Sequence, residues 1–129
     1  MFNIPWKAGG AVPHRGQVLI AATEARFDRR RDLPGAALAA MRLRRGWPTL
    51  DGAIALSLAA DPLTRRTCSI SVWQSEDHLL RFLRSTAHLA IVRRYRGRLH
   101  IRSATWTAVS FDPVRARGEA ERRLYPSAR

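Results

Sequence analysis

The sequence predicts an α+β domain in which a ferredoxin-like β-α-β-β-α-β order builds one sheet. Three observations carry this: strand-length runs at 17–27, 53–60, 66–73 and 99–109, capped helical stretches after the first and third of them, and an Asp61-Pro62 turn joining the middle two.

Residues 1–16 form an arm in which Pro5, Gly9, Gly10, Pro13 and Gly16 break any regular element, while Phe2, Ile4 and Trp6 need covering. QVLIAATEARF at 17–27 reads as the first strand, ended by charge at 29–32. Asp32 is placed to cap a helix with Pro34 in its first turn, which Ala37, Leu38, Met41 and Leu43 carry to Gly46. After the turn-rich GWPTLDG, the strand 53–60 alternates Ile54, Leu56 and Leu58 with Ala53, Ala55 and Ser57. The strand 66–73 alternates Cys68, Ile70 and Val72 with Thr67, Ser69, Ser71 and Trp73. Ser75 caps the next helix, whose first turn holds Glu76 and Asp77 and whose apolar stripe is Leu79, Leu80 and Leu83. Ser85 or Thr86 restarts it through Leu89, Val92 and Tyr95 to Gly97. LHIRSATWTAV at 99–109 is the fourth strand, and Phe111-Asp112-Pro113 leads to a charged, peripheral helix ending near Tyr125. The domain therefore runs 17–109, between an arm at 1–16 and a tail at 110–129.

Side chains alternate across a pleated strand. With Ile54, Leu56, Leu58, Cys68, Ile70 and Val72 meeting the helices, the opposite face carries Ala53, Ala55, Ser57, Thr67, Ser69, Ser71 and Trp73. Such small side chains leave room for a ligand if a second sheet closes over them, and closure also shelters Trp73 and Trp106.

Composition narrows the function. A chain of 129 residues with 46% hydrophobic content suits one compact domain. The net charge is +13, but 22 of the 23 basic residues are arginine and they lie in several short runs, not on one reading helix, so most belong to solvated faces. The central strands also lack the stacking aromatics of single-strand RNA readers, which makes nucleic acid an unfavoured partner. Cys68 is the lone cysteine, which precludes an intrachain disulfide and a cysteine-cluster metal site. No apolar run reaches the roughly 18–20 residues of a membrane span and the N-terminal stretch has no leader pattern, so a cytoplasmic protein with no membrane partner is expected. There is no phosphate loop, HExxH or G-x-S-x-G elbow, nor a flavin or nicotinamide fingerprint. An enzyme built on this chain relies on a self-reactive substrate or on haem.

The stretch Ser71-Val72-Trp73-Gln74-Ser75-Glu76, followed by Phe82-Leu83-Arg84-Ser85 and His88, resembles the dimeric α+β barrel superfamily, which includes antibiotic-biosynthesis, haem-degrading and spheroidene monooxygenase-like proteins. The resemblance covers about 17–109 and is sharpest over 70–94. It implies a homodimer whose sheets pair face to face, each chain keeping a cavity between its sheet and the helices or at the sheet's inner surface. In the haem-degrading branch the matching histidine ligates iron, which carries over to His88, with Phe82 as the pocket aromatic. The chain departs from that branch: Phe82 stands where a tryptophan is usual, its spacing to His88 is shorter, and Thr23 and Glu24 stand where an asparagine is expected.

Imidazole chemistry leaves His88 three roles: iron ligand, general base, or a histidine bonded to a local carbonyl. Tyr95, seven residues on, shares its helix face and could bond a substrate oxygen. Trp73, Phe82 and Trp106 are candidate walls for a flat substrate, and Ser57, Ser69 and Ser71 candidate floor residues. Arg102, or Arg26, could hold a carboxylate or enolate. His78 is expected to face solvent, and His14 and His100 carry weaker signals. The resulting reading is a small monooxygenase-like tailoring enzyme for a hydrophobic aromatic or conjugated natural product, either without cofactor or with haem on His88. A non-redox cyclase, isomerase or dehydratase is the first alternative, and a basic nucleic-acid-binding module the second.

Overall fold

The computed structural model describes residues 2–126, so Met1, the side chain of Phe2 and residues 127–129 of the expected tail lie outside it. A five-stranded antiparallel sheet comprises β1 (Phe2–Ala8), β2 (Val18–Phe27), β3 (Ala53–Asp61), β4 (Arg66–Trp73) and β5 (Leu99–Ala108), in the order β1-β3-β4-β2-β5. The helices are α1 (Leu33–Gly46), α2 (Glu76–Leu83), α3 (Thr86–Tyr95) and α4 (Pro113–Leu124). The run from β2 to β5 has the split β-α-β-β-α-β order, and the fold class is α+β, ferredoxin-like.

Local chemistry explains the helix starts. Ser75 accepts from the His78 amide at the head of α2, Ser85 from the His88 amide at the head of α3, and Asp112 from the Val114 and Arg115 amides at the head of α4. Asp32 does not cap α1 as expected. A short 3-10 turn precedes that helix, and the Asp32 carboxylate lies 3.7 Å from Arg98 instead.

The arm is the second departure. Despite Pro5, β1 pairs with β3, and the register breaks between Ile4 and Lys7 around the proline. An edge strand tolerates this because proline's missing donor can fall at a bulge.

The third departure concerns the faces. Directly opposite residues in an antiparallel pair point the same way. Leu56 faces Ser71 and Leu58 faces Ser69, whereas Ser57 faces Ile70 and Ala59 faces Cys68. Leu56 and Leu58 therefore lie on the face opposite Cys68, Ile70 and Val72, not with them as expected, while Ile54 at the irregularity stays with Ile70 and Val72. Under α1–α3, Trp47, Ala53, Leu56, Trp73 and Leu79 form one buried cluster, and Phe27, Leu33, Ala36 and Tyr95 form another. The other face packs Val18, Ile20, Ala22, Ile54, Ala55, Ile70 and Val72 beneath Ala116, Ala120 and Leu124 of α4. The C-terminal helix is thus a core element, and the face that was expected to await a second sheet is covered by the chain itself.

Candidate active site

The face beneath α1–α3 has apolar ends and a hydroxyl-bearing middle. Cross-strand rows place Ser69 beside Thr23 and Thr23 beside Ser103, and Ser71 beside Ala21 and Ala21 beside Thr105. Thr23, Ser69 and Ser71 are half-buried.

Aromatic side chains build one end. Trp73, 1% exposed, donates from Nε1 to Ser71 Oγ at 2.9 Å. Its ring meets Trp47 at 5.0 Å and Phe82 at 5.3 Å, and Trp47 meets Phe82 edge-on at 5.6 Å. Phe82 lies 5.1 Å from the imidazole of His88. His88 Nδ1 is 3.1 Å from the Leu83 carbonyl, which can only accept, so the proton sits on Nδ1 and Nε2 keeps its lone pair. Burial lowers the His88 pKa from its ordinary value, against the opposing pull of that carbonyl. The neutral imidazole, with a free basic nitrogen beside an aromatic wall, is the species present at neutral pH.

Structure brings together His88, Phe82, Trp73 and Ser71, with Ser69 on the adjoining floor. It separates the others. Tyr95 is two helical turns from His88, about 10.5 Å along the axis. It packs edge-on against Phe27 at 5.5 Å in the other cluster, its hydroxyl buried against Gly35. Trp106 lies on the α4 face, because Ile20 is its cross-strand partner while Leu19 is that of Trp73. Arg123 stacks over the Trp106 ring at 5.0 Å. Ser57 accepts from Arg117 at 2.9 Å and Arg102 donates to the Leu124 carbonyl at 3.2 Å, both on that same face. A pocket walled by both Trp73 and Trp106 does not form.

Sequence reasoning missed Trp47, whose ring completes the aromatic end and whose only signal was its place in the GWPTLDG turn. It also misplaced His78. The ring is mostly buried, bonded through Nδ1 to Ser75 Oγ at 2.7 Å, with Nε2 3.6 Å from Asp51. A Cβ on Gly52 would collide with that ring, and Gly52 also has a φ of +75° that glycine adopts without strain. His14 bonds to Gln74, and His100 pairs with Asp28 at 3.1 Å.

His88 offers the right nitrogen for haem, but the space beside it does not suit one. Trp47, Trp73 and Phe82 fill the neighbouring volume with their own contacts. Two cavities, of about 120 and 230 Å³, lie on the α4 face, away from His88. Haem does not fit here. Among the described residues no cluster of histidine, cysteine and carboxylate groups could hold a metal ion, and no helix is long and apolar enough to cross a membrane.

No family profile and no curated protein matches the chain. Solved structures do. A candidate monooxygenase from Lactobacillus acidophilus NCFM superposes with a TM-score of 0.62 at 10% identity over 85% of this chain and 54% of that one, so the chain spans about half its length. SnoaB, a cofactor-independent oxygenase from Streptomyces nogalater, gives a TM-score of 0.54 at 17% identity over 76% of this chain and 98% of its own. LmHde, a heme-degrading enzyme from Listeria monocytogenes, gives 0.57 at 17% identity over 78% and 67%. The chain shares its fold with these proteins. Here α4 covers the face that the resemblance assigned to a second sheet.

Proposed function

We propose that the chain is a monooxygenase-like enzyme that oxidises a hydrophobic aromatic or conjugated substrate without a cofactor, with His88 as the base. The observation that carries this reading is the arrangement at His88: Nδ1–H tied to the Leu83 carbonyl, Nε2 free, burial favouring the neutral ring, and Phe82 and Trp73 alongside. Likeness to a cofactor-independent oxygenase of the same fold supports it. The substrate ring lies over the floor of Ser69 and Ser71, and Nε2 removes the proton of a phenolic O–H or activated C–H. The resulting anion passes electrons to O2 and a C–O bond forms at carbon. Cleavage of the O–O bond then turns a CH2 into C=O and releases the second oxygen as water. Tyr95 takes no part, since its hydroxyl lies against Gly35 in the other cluster.

Oxygen uptake with an oxygen-reactive polycyclic phenol tests the reading. His88→Ala should slow it by about 10²–10⁴-fold, the usual span for losing a general base. The acid limb of the wild-type rate should fall below the roughly 6.5 of free imidazole, because the base works above its lowered pKa. Turnover that is insensitive to oxygen would move the chemistry to proton shuttling, as in a cyclase, isomerase or dehydratase.

The working unit in this reading is a homodimer. With one face under α1–α3 and the other under α4, the second copy pairs along the outer edge of β5, where Ile101 is 60% exposed. Sedimentation of the chain beside an Ile101→Lys variant tests it, with the variant expected to shift to monomer.

A further inference from the structure

The α4 face changes character at its far end. Where the aliphatic rows stop, two cross-strand rows on β4, β2 and β5 bring six residues side by side. One row reads Cys68, Glu24 and Arg102, the next Arg66, Arg26 and His100. Like charges placed directly opposite one another destabilise a sheet pair, so Arg66 beside Arg26 beside His100 needs an explanation. The carboxylates nearby do not supply one. Asp61, opposite Arg66, is engaged by Thr64 and the Leu63 amide, and Asp28 pairs with His100. Among the described residues Arg26 and Arg102 form no ion pair with any acid.

Glu24 sits at the centre of the block and is only 4% exposed. Its Oε1 is 3.5 Å from Arg66 Nε, too long and poorly aligned for a hydrogen bond, and Oε2 makes no well-aligned hydrogen bond among the described residues, although the Tyr125 hydroxyl approaches the carboxylate from the end of α4. Arg66 Nε is likewise buried and unbonded. A buried carboxylate oxygen left without a well-aligned donor is costly, and native structures leave few of them. Glu24, Arg26, Arg66, His100 and Arg102 together line a cavity of about 120 Å³. That is the share of about four waters, and it suits an oxyanion of five heavy atoms. The C-terminal end of α4 fixes one side, with Arg102 bonded to the Leu124 carbonyl and Arg66 over the Tyr125 ring at 5.9 Å.

We propose that this cavity binds a small oxyanion that keeps a hydroxyl, of the hydrogen-phosphate class, either free or as the phosphomonoester end of a larger molecule. Arg26, Arg66 and Arg102 supply donors for its oxygens, and guanidinium groups suit that geometry. Glu24 Oε2 accepts from the ligand's O–H. An ionised carboxylate can only accept, so an oxyanion with no proton to give, such as sulfate, meets repulsion there. The site is on the face opposite His88 and stands independently of the proposed oxidation.

Calorimetric titration of the full chain with sodium phosphate, sodium sulfate and glycerol phosphate at matched ionic strength tests the proposal. Saturable phosphate binding at least about tenfold tighter than sulfate is expected, the step that one discriminating hydrogen bond provides. Glu24→Gln should narrow that preference to about twofold or less, since an amide can donate to sulfate. Arg26→Ala, at an exposed position whose side chain has no hydrogen bond or ion pair among the described residues, should weaken phosphate by about tenfold while the protein stays folded. His88→Ala should bind phosphate as the wild type does. Tighter binding of glycerol phosphate would assign the natural ligand to an ester, and tighter binding of phosphate to the free ion. Equal affinity for sulfate and phosphate in the wild type, or an unchanged preference in Glu24→Gln, would overturn the proposal.

Discussion

The two faces of the sheet share their strands but not their chemistry. Beneath α1–α3 the middle is a hydroxyl floor between two aromatic-anchored clusters. Beneath α4 the middle is aliphatic and closed, and polarity appears only at the end, as the block of arginines around Glu24. The first arrangement sets a basic nitrogen beside an aromatic wall and a half-buried hydroxyl floor, which in the proposed reading serves an apolar molecule. The second excludes such a molecule and concentrates charge at a rim, which suits an anion. Burial of apolar area is the main favourable term in folding, and here the α4 side meets that need more continuously. The helix side is thereby left freer to hold polar floor residues.

Four substitutions or treatments separate the faces. Trp73→Ala removes the largest anchor of the helix side and should cost about 3–5 kcal/mol in denaturant unfolding; a loss under about 1 kcal/mol would mean that the aromatic end is not packed as described. Leu124→Ala tests the other face. If α4 is core, the loss is about 2–4 kcal/mol, whereas a peripheral helix would lose almost nothing. Cys68 reports on the same helix without unfolding. Desolvation, with Glu24 adding to it, pushes its thiol up to about 11, so its thiolate fraction near pH 8 should be about a hundredfold below that of an ordinary thiol. Iodoacetamide labelling should be correspondingly slow, quicken as pH rises towards that value, and quicken in Leu124→Ala at constant pH. The smallest effect belongs to Ser75→Ala, where losing the α2 cap should cost about 1 kcal/mol and shift the midpoint with no change in denaturant slope.

Element order was legible because each strand and helix announces itself locally. Ser75 and Ser85 cap as their positions suggest, and the run 66–73 is a strand to the residue. The faces were not legible, for a reason that lies between strands. Alternation within β3 and within β4 is plain, but which half of each points to the helices depends on register. The irregularity between Ala53 and Ala55 helps put the two strands out of phase. Trp106, Ser57 and Arg102 were therefore grouped with Ser69, Ser71 and Trp73, which lie on the opposite face. His88 and Phe82 escaped that error because both sit on helices of one layer, where sequence proximity alone brings them together. The anion block was half visible, since Arg26 and Arg102 stood out as strand arginines, but Glu24 joined them only once the three strands were aligned. Likewise α4 reads as surface from its charge, and only Ala116, Ala120 and Leu124, at intervals of four, mark its buried stripe.

The register break around Pro5 has a consequence for assembly. On the outermost strand the proline has no amide to offer, and Arg44 already occupies its carbonyl at 3.2 Å. Recruitment of further chains by hydrogen bonding is blunted on that flank and open only along β5. In the proposed homodimer, joined through β5, the edge left open is the one that Pro5 interrupts, so the bulge disfavours growth beyond a pair.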